Sequence, residues 1–89
     1  MILEFDRSFS KSLNKIKDRT ILSRIEKVIL DLEKAAAIEE LRNNKKLTGF
    51  TSYYRIKIGA YRLGYENIDA NTIRLITVAH RKDIYRKFP

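Results

Sequence analysis

Cysteine and tryptophan are absent from this 89-residue sequence, and histidine, methionine and proline each occur only once. Without cysteine there is neither a disulfide framework nor a thiolate metal site, and a single histidine argues against a structural zinc site. No apolar run approaches the roughly 20 residues that span a bilayer, and no signal-peptide pattern opens the chain. The sequence therefore predicts a cytoplasmic protein that neither crosses a membrane nor depends on a structural metal.

The motifs of several common activities are missing as well. Neither GxxxxGK(S/T) nor GxGxxG occurs, so nucleotide binding through a glycine-rich loop has no support. A Ser-His-Asp arrangement would have to use His80, and no serine stands in the context of a nucleophile elbow. The carboxylates show no metal-ligand spacing. We therefore expect no metal ion and no small-molecule cofactor.

Positive charge is what the sequence has in excess. The chain has 19 lysines and arginines against 11 acidic residues, a formal net charge of +8. This balance favours a polyanionic partner, which can be nucleic acid, an anionic membrane surface or an acidic protein. The plainer alternative is a globular domain that happens to be basic, because its 44% hydrophobic content is ordinary. The length predicts one domain, residues 1–89.

The first half of the chain predicts a short strand followed by two helices. Asp6 is a suitable N-cap for a helix that ends near Lys17. A second helix, from about Arg19 to Ala36 and capped by Asp18 or Thr20, has the most sustained 3.6-residue apolar period in the chain. Because the link between them is short, the two helices should form an antiparallel hairpin that packs on a sheet.

A β-hairpin dominates the second half. Residues 53–58 alternate in polarity, and a second strand-like run at residues 61–66 follows the pair Gly59-Ala60, which suits a type II′ turn. In that register Lys57 faces Arg62, and like charges directly opposite each other destabilise a sheet. A chain that keeps such a pair has a use for concentrated positive charge, most simply the binding of a phosphate.

The remaining segments complete an α+β architecture. Residues 37–49 lack a clear period, and residues 43–46 are typical of a polar loop. After a turn at residues 67–71, the run at 72–80 is apolar on both faces, as expected of an interior strand. The basic tail, residues 81–89, predicts one helical turn. The predicted order is βααβββ: a strand at residues 2–5, the helical hairpin, and an antiparallel block of three strands that the hairpin covers.

Basic and aromatic residues of the hairpin and the tail form the remaining candidate site. On one surface, their fixed charge would stabilise the dianionic transition state of RNA cleavage by a 2′-hydroxyl. A base whose pKa the positive charge has lowered would take the 2′ proton, and an acid would protonate the 5′-oxygen. Alternatively, Arg55 and Lys57 belong to a solvated strand face, and Arg62 or Lys57 forms a surface ion pair with Glu66. In that case His80 has a structural role. The set comprises Arg55, Lys57, Arg62, His80, Arg81, Lys82 and Tyr85.

The hairpin and the stretch after the last strand together resemble a known family. Residues 54–66 (YRIKIGAYRLGYE), followed by residues 78–86 (VAHRKDIYR), are similar to the RelE branch of the RelE/ParE toxin superfamily. Residues 45–49 also resemble that branch's entry into its second strand. The resemblance covers essentially the whole chain and implies a small RelE-like fold. It further implies a ribosome-dependent endoribonuclease that cuts mRNA in the ribosomal A site and so inhibits translation.

By position, the resemblance implies a set of catalytic residues. Tyr85 is the implied general base, and Arg62 the clamp on the phosphate in the transition state. Arg81 is implied as the proton donor or a second phosphate contact. Arg55 and Lys57 are implied to hold the phosphate and to lower the pKa of the base. Further contacts with RNA are expected from Lys45, Lys46, His80 and Lys82.

The implied partners are a cognate antitoxin, mRNA and ribosomal RNA. An acidic, largely helical antitoxin segment would fold as it wraps the basic surface. His80 is a second candidate for the proton donor, because the unperturbed pKa of histidine suits that role. Two other functions remain open, a ParE-like poison of DNA gyrase and a non-catalytic module that binds RNA or the ribosome.

Overall fold

A computed structural model describes all residues from 1 to 89 and contains one five-stranded sheet. The strand order is β1-β5-β4-β3-β2, and every pairing is antiparallel except the parallel pairing of β1 with β5. None of the helices combines the length and apolarity that a membrane span requires. The elements are β1 Ile2–Phe5, α1 Arg7–Asn14, α2 Arg19–Lys34, a 3₁₀ turn Ile38–Glu40, β2 Asn44–Lys46, β3 Tyr53–Ile58, β4 Tyr61–Asn67, β5 Thr72–His80 and α3 Ile84–Lys87.

The predicted α+β class and the order of the predicted elements are confirmed, but one strand was missed. Asn44–Lys46, expected as a polar loop, forms the edge strand β2, in which Lys45 lies opposite Arg55. Three polar residues on an exposed sheet edge show no apolar alternation, so the periodicity on which the prediction rested could not reveal them. The parallel partner of β5 was also missed, because β1 and β5 lie far apart in the sequence.

Aspartate side chains begin both long helices, as predicted. Asp6 accepts a hydrogen bond from the backbone nitrogen of Ser8 at 3.0 Å. Asp18 accepts from Thr20 at 2.9 Å and from Ile21 at 3.3 Å. Helix α1 ends at Asn14 rather than near Lys17, because the chain must leave the helix before Asp18 takes the extended conformation of the second N-cap.

The main core lies between this helical hairpin and one face of the sheet, here called the helix-covered face. The apolar stripes of α1 and α2 meet the inward side chains of β3, β4 and β5, and the spacing predicted those stripes. Burial of this apolar surface is the principal stabilising contribution to the fold. Its fully buried members include Phe9, Ile25, Leu32, Ile58, Leu63, Tyr65, Ile73 and Leu75.

Helix α1 also completes the outer edge of β5. The parallel strand β1 pairs with β5 only as far as Leu75, so the following backbone groups lack a strand partner. Two serines one helical turn apart replace it: the Ser8 hydroxyl contacts the carbonyl oxygen of Ile76, and Ser12 Oγ accepts a hydrogen bond from the Val78 nitrogen at 3.0 Å. Buried backbone groups need such partners, so the two serine hydroxyls satisfy the backbone groups of β5 that β1 does not reach.

The opposite face of the sheet, here called the open face, is only partly covered. Four side chains form a small second core there, and two of them are Ile84 of α3 and Phe88, the C-cap residue of that helix. They lie one turn apart and hold α3 on the sheet. The rest of this face carries the basic residues of the β3–β4 hairpin. The second core comprises Leu47, Ala79, Ile84 and Phe88.

Candidate active site

Strand alternation puts the basic residues of β3 on the open face. Ile56 and Ile58 are buried in the main core, so Arg55 and Lys57 point to the other side of the sheet. In the observed register Lys57 lies opposite Arg62, as predicted. The hairpin therefore concentrates three cations on one surface.

The turn of this hairpin fixes the direction of Arg62. Gly59 has a φ of +59°, whereas Ala60 is not in the left-handed region, which fits the predicted type II′ turn and not type I′. Arg62 Nη1 donates to the carbonyl oxygens of Gly59 and Tyr61, both at 2.9 Å. The guanidinium is thus held in place before any ligand arrives, the arrangement in which a charge stabilises a transition state most effectively.

A cleft of about 520 Å³ opens beside these residues. Strand β2 forms one side, where Lys45 stands next to Arg55, and α3 contributes Tyr85. Four of the seven lining residues are cations and none is a carboxylate, so the cleft is suited to an anionic ligand. The lining comprises Asn43, Asn44, Lys45, Arg55, Lys57, Arg62 and Tyr85.

The positive charge is not neutralised within the chain. The alternative of a surface ion pair from Arg62 or Lys57 to Glu66 is not found. The structure has two ion pairs, Arg74 with Glu4 at 2.9 Å and Arg86 with Asp83 at 2.8 Å, and neither includes a residue of the cleft. The cations of the cleft therefore remain free to bind an external anion.

The Tyr85 side chain lies beside the cations of the cleft. Its side chain is 76% exposed, and the guanidinium carbon of Arg55 lies 5.0 Å from the ring centroid. The Arg55 guanidinium beside the ring has the largest effect and lowers the pKa of the Tyr85 hydroxyl, and Lys45 and Arg62 add smaller effects of the same sign. The phenol therefore ionises at a lower pH than an ordinary tyrosine, as a general base must.

Two predicted residues lie on the wrong face of the sheet for this cleft. His80 is opposite Tyr61 and contacts its ring at a centroid distance of 5.6 Å. Lys46 is opposite Tyr54. Tyr54 and Tyr61 both pack on the main core, so His80 and Lys46 point towards the helix-covered face. Because side chains alternate between the two faces of a sheet, His80 and Lys46 lie on the face opposite to that of Arg55 and Arg62.

The structure also leaves Arg81 and Lys82 outside the cleft lining. Both are exposed residues of the turn after β5. The backbone nitrogen of Arg81 donates to Ala60 at 2.8 Å, and that of Lys82 donates to His80 Nδ1 at 3.2 Å. Of the five predicted catalytic residues, the structure thus brings four together, Arg55, Lys57, Arg62 and Tyr85.

Sequence reasoning missed Asn43 and Asn44, which line the cleft next to Lys45. Asn43 has a φ of 58°, and its backbone carbonyl oxygen accepts a hydrogen bond from the backbone nitrogen of Lys57 at 3.1 Å. Asn44 Oδ1 accepts from the Tyr65 hydroxyl at 2.7 Å, and burial raises the pKa of Tyr65, so the hydroxyl keeps its proton. The Asn-Asn pair was a usable signal, because asparagine tolerates the left-handed conformation that precedes β2.

This fold belongs to a family of bacterial and archaeal toxins, as comparisons with known proteins establish. The chain is a member of the ParE toxin family of type II toxin–antitoxin systems, whose sequence model matches residues 3–85. Toxin RelE3 of Methanocaldococcus jannaschii is 36% identical over 86 residues, which cover 96% of each chain. The chain is thus a homologue of RelE toxins, and its place in the RelE/ParE superfamily is confirmed.

Solved structures agree with this assignment. The RelB–RelE antitoxin–toxin complex from Methanococcus jannaschii contains a chain that is 34% identical, with a TM-score of 0.80 and coverage of 97% of this chain and 99% of that chain. The intact Escherichia coli RelBE complex gives 28% identity, a TM-score of 0.69 and coverage of 89% and 94%. The small RelE-like fold is therefore confirmed.

Proposed function

We propose that this protein is a ribosome-dependent endoribonuclease that cuts mRNA in the ribosomal A site and thereby inhibits translation. The observation that carries the proposal is the cleft itself, in which four cations and no carboxylate surround a tyrosine whose pKa three of them, Arg55, Lys45 and Arg62, lower. Internal RNA cleavage needs these two features together, because the base must be ionised and the reacting phosphate becomes dianionic.

In the proposed reaction the Tyr85 phenolate removes the proton of the 2′-hydroxyl next to the scissile phosphate. The 2′-oxygen bonds to phosphorus as the bond to the 5′-oxygen breaks, giving a 2′,3′-cyclic phosphate and a 5′-hydroxyl. Arg55 and Arg62 hold the equatorial oxygens while negative charge develops on them. One donor of this kind is commonly worth about 10²–10³ in rate.

The leaving 5′-oxygen needs a proton, and the lysines of the cleft are the groups suited to give it. Arginine holds its proton too tightly for transfer, whereas a lysine ammonium can release one. Lys57 lies opposite Arg62, the proposed phosphate clamp, and is therefore the proposed donor. The role implied for Arg81 changes accordingly. Like Lys46 and Lys82, Arg81 lies outside the cleft, and it contributes to RNA affinity rather than to proton transfer.

These outer cations give the protein a means of holding the ribosome and the mRNA. Lysine and arginine contacts to phosphate release counterions, so binding should weaken steeply with salt. The proposal places the protein in the cytoplasm, where translating ribosomes are. The net charge of +8 supports such a polyanionic partner.

We also infer a cognate antitoxin. Related toxins were solved in antitoxin–toxin complexes, named RelB–RelE and RelBE. An antitoxin of this protein should bring an acidic segment to the open face, because the cleft holds no carboxylate of its own. Its binding would neutralise the four cations on which cleavage depends.

A poison of DNA gyrase is the alternative function, and the match to the ParE family favours it. One experiment separates the two functions: expression of the protein in cells, followed by mapping of new mRNA 5′ ends and of gyrase-linked DNA breaks. New ends should appear within coding regions. Breaks without new mRNA ends would assign the protein to the gyrase poisons.

The proposed site is tested by the double variant Tyr85→Phe/Arg62→Ala, which should produce no new mRNA ends. The matched control is Tyr54→Phe/Lys11→Ala, which also removes one phenol hydroxyl and one cation but changes no residue that lines the cleft. Cleavage should persist in the control. Cleavage that persists in the first variant would refute the site.

A further inference from the structure

Tyr85 owes its position to its neighbours in α3 rather than to its own packing. Its side chain is largely exposed, and Arg55 is its close aromatic–cation partner. The four-residue helix that carries it is held by Ile84, which is 1% exposed, and by its C-cap residue Phe88, which is 4% exposed. A backbone hydrogen bond from Phe88 to Ile84, 2.9 Å long, closes this turn around Tyr85.

The Phe88 ring lies directly on the backbone of Gly64 in β4. A Cβ atom added to Gly64 would stand 2.6 Å from ring carbons Cγ and Cδ2 and 2.8 Å from Cδ1. Such distances are far inside the roughly 3.5–4.0 Å at which carbon atoms attract each other. Because Cγ is bonded to the Cβ of Phe88, rotation of the ring cannot remove the overlap. Any side chain at Gly64 therefore has to displace the Phe88 ring, either by a change of its χ1 rotamer or by a shift of the segment that carries it.

This contact lies beside the proposed site. Gly64 is the cross-strand partner of Arg55, and directly opposite residues in an antiparallel pair lie roughly 4.5–5.5 Å apart. Tyr53, two residues before Arg55, packs its ring edge-on against Phe88 at a centroid distance of 5.5 Å. The cross-strand pair of Gly64 and Arg55 thus supplies both the backbone on which the Phe88 ring packs and the guanidinium that Tyr85 contacts.

We propose that Gly64 and Phe88 are positioning residues: the Phe88 ring, seated on the bare backbone of Gly64, sets Tyr85 against Arg55 for RNA cleavage. The inference rests on the proposed function, but the positioning itself can be measured without RNA. A displacement of about 1 Å in a catalytic group can cost roughly 10²-fold in rate. Neither residue touches the RNA in this proposal, so the loss should fall on kcat and leave KM nearly unchanged.

The direct test is a pH titration of the purified protein labelled with ¹³Cζ-tyrosine and followed by NMR. The protein has five tyrosines, and Tyr85→Phe identifies the Tyr85 signal. Gly64→Ala and Phe88→Leu should each raise the Tyr85 pKa towards the ordinary value of about 10, because the ring moves away from Arg55. Phe50→Ala is the control: Phe50 contacts Tyr53 within the same aromatic row but does not belong to the second core.

The same variants are then assayed for cleavage of mRNA on ribosomes. Gly64→Ala and Phe88→Leu should each lower kcat about 10²-fold. Because both disturb one contact, the kcat of the double variant should be no lower than that of the slower single variant. Since Phe88→Leu leaves β4 unaltered, it also covers a failure of Gly64→Ala to fold. An unmoved Tyr85 pKa together with unchanged kcat in folded Phe88→Leu would overturn the positioning role. A moved pKa in a protein that never cuts RNA would instead uphold the positioning and refute the proposed function.

Discussion

Replacing Ser12 by alanine tests how α1 completes the edge of β5. Ser12 is 9% exposed, and its Oγ accepts from the Val78 nitrogen at 3.0 Å and donates to the Phe9 carbonyl at 2.8 Å. Alanine leaves the buried Val78 N–H without an acceptor, which costs about 1–3 kcal/mol. Alanine is also the better helix former by roughly 0.5 kcal/mol, which offsets part of that cost. We therefore expect a net loss of about 0.5–2.5 kcal/mol in the free energy of unfolding.

Urea unfolding followed by circular dichroism measures this loss, and the chain supplies a matched control. Ser10 lies on the same helix, is exposed, and makes no side-chain hydrogen bond, so Ser10→Ala reports the gain in helix propensity alone. Ser10→Ala should be neutral or slightly stabilising. For a domain of this size each kcal/mol corresponds to roughly 4–8 °C in Tm. Equal urea midpoints for Ser12→Ala and Ser10→Ala would refute the role assigned to the Val78 contact.

Two further predictions concern the charges of the cleft. Arg55→Gln should raise the pKa of Tyr85, because it removes the main cause of its lowering; the acid limb of the cleavage rate against pH should therefore move to higher pH. An unmoved limb would mean that another group is the base. Lys57→Gln removes the like-charge contact with Arg62 and should raise the free energy of unfolding by roughly 0.2–1 kcal/mol while lowering the cleavage rate. If urea unfolding showed that Lys57→Gln is less stable than the unmodified protein, the destabilising effect assigned to the Lys57–Arg62 pair would be wrong.

Local signals in the sequence were sufficient for much of the fold. The pair Gly59-Ala60 and the strand alternation gave the hairpin register, including Lys57 opposite Arg62, and two aspartates marked the helix starts. Strand β2 was not predicted, because its three polar residues show no alternation of apolar and polar side chains. The pairing of β1 with β5 depends on contacts between distant parts of the chain, which no local pattern encodes.

The candidate site was predictable to a similar extent. Arg55, Lys57, Arg62 and Tyr85 were expected together and are found lining one cleft. His80 was grouped with them because it stands near Tyr85 in the sequence, but its position on β5 turns its ring to the helix-covered face. The seat of Phe88 on Gly64 could not have been predicted, because it depends on how α3 docks on the sheet.

The central claim, RNA cleavage by the Tyr85 cleft, is tested most directly with purified protein and programmed ribosomes. The mRNA is offered free, bound with an open A site, and bound with a single 2′-deoxynucleotide at the mapped cut. The proposed mechanism predicts cutting of the bound mRNA alone, with a 2′,3′-cyclic phosphate and a 5′-hydroxyl as products. It also predicts that the 2′-deoxy substitution abolishes cutting and that Tyr85→Phe loses most of the rate. Cutting of the 2′-deoxy mRNA, or a full rate in Tyr85→Phe, would contradict it.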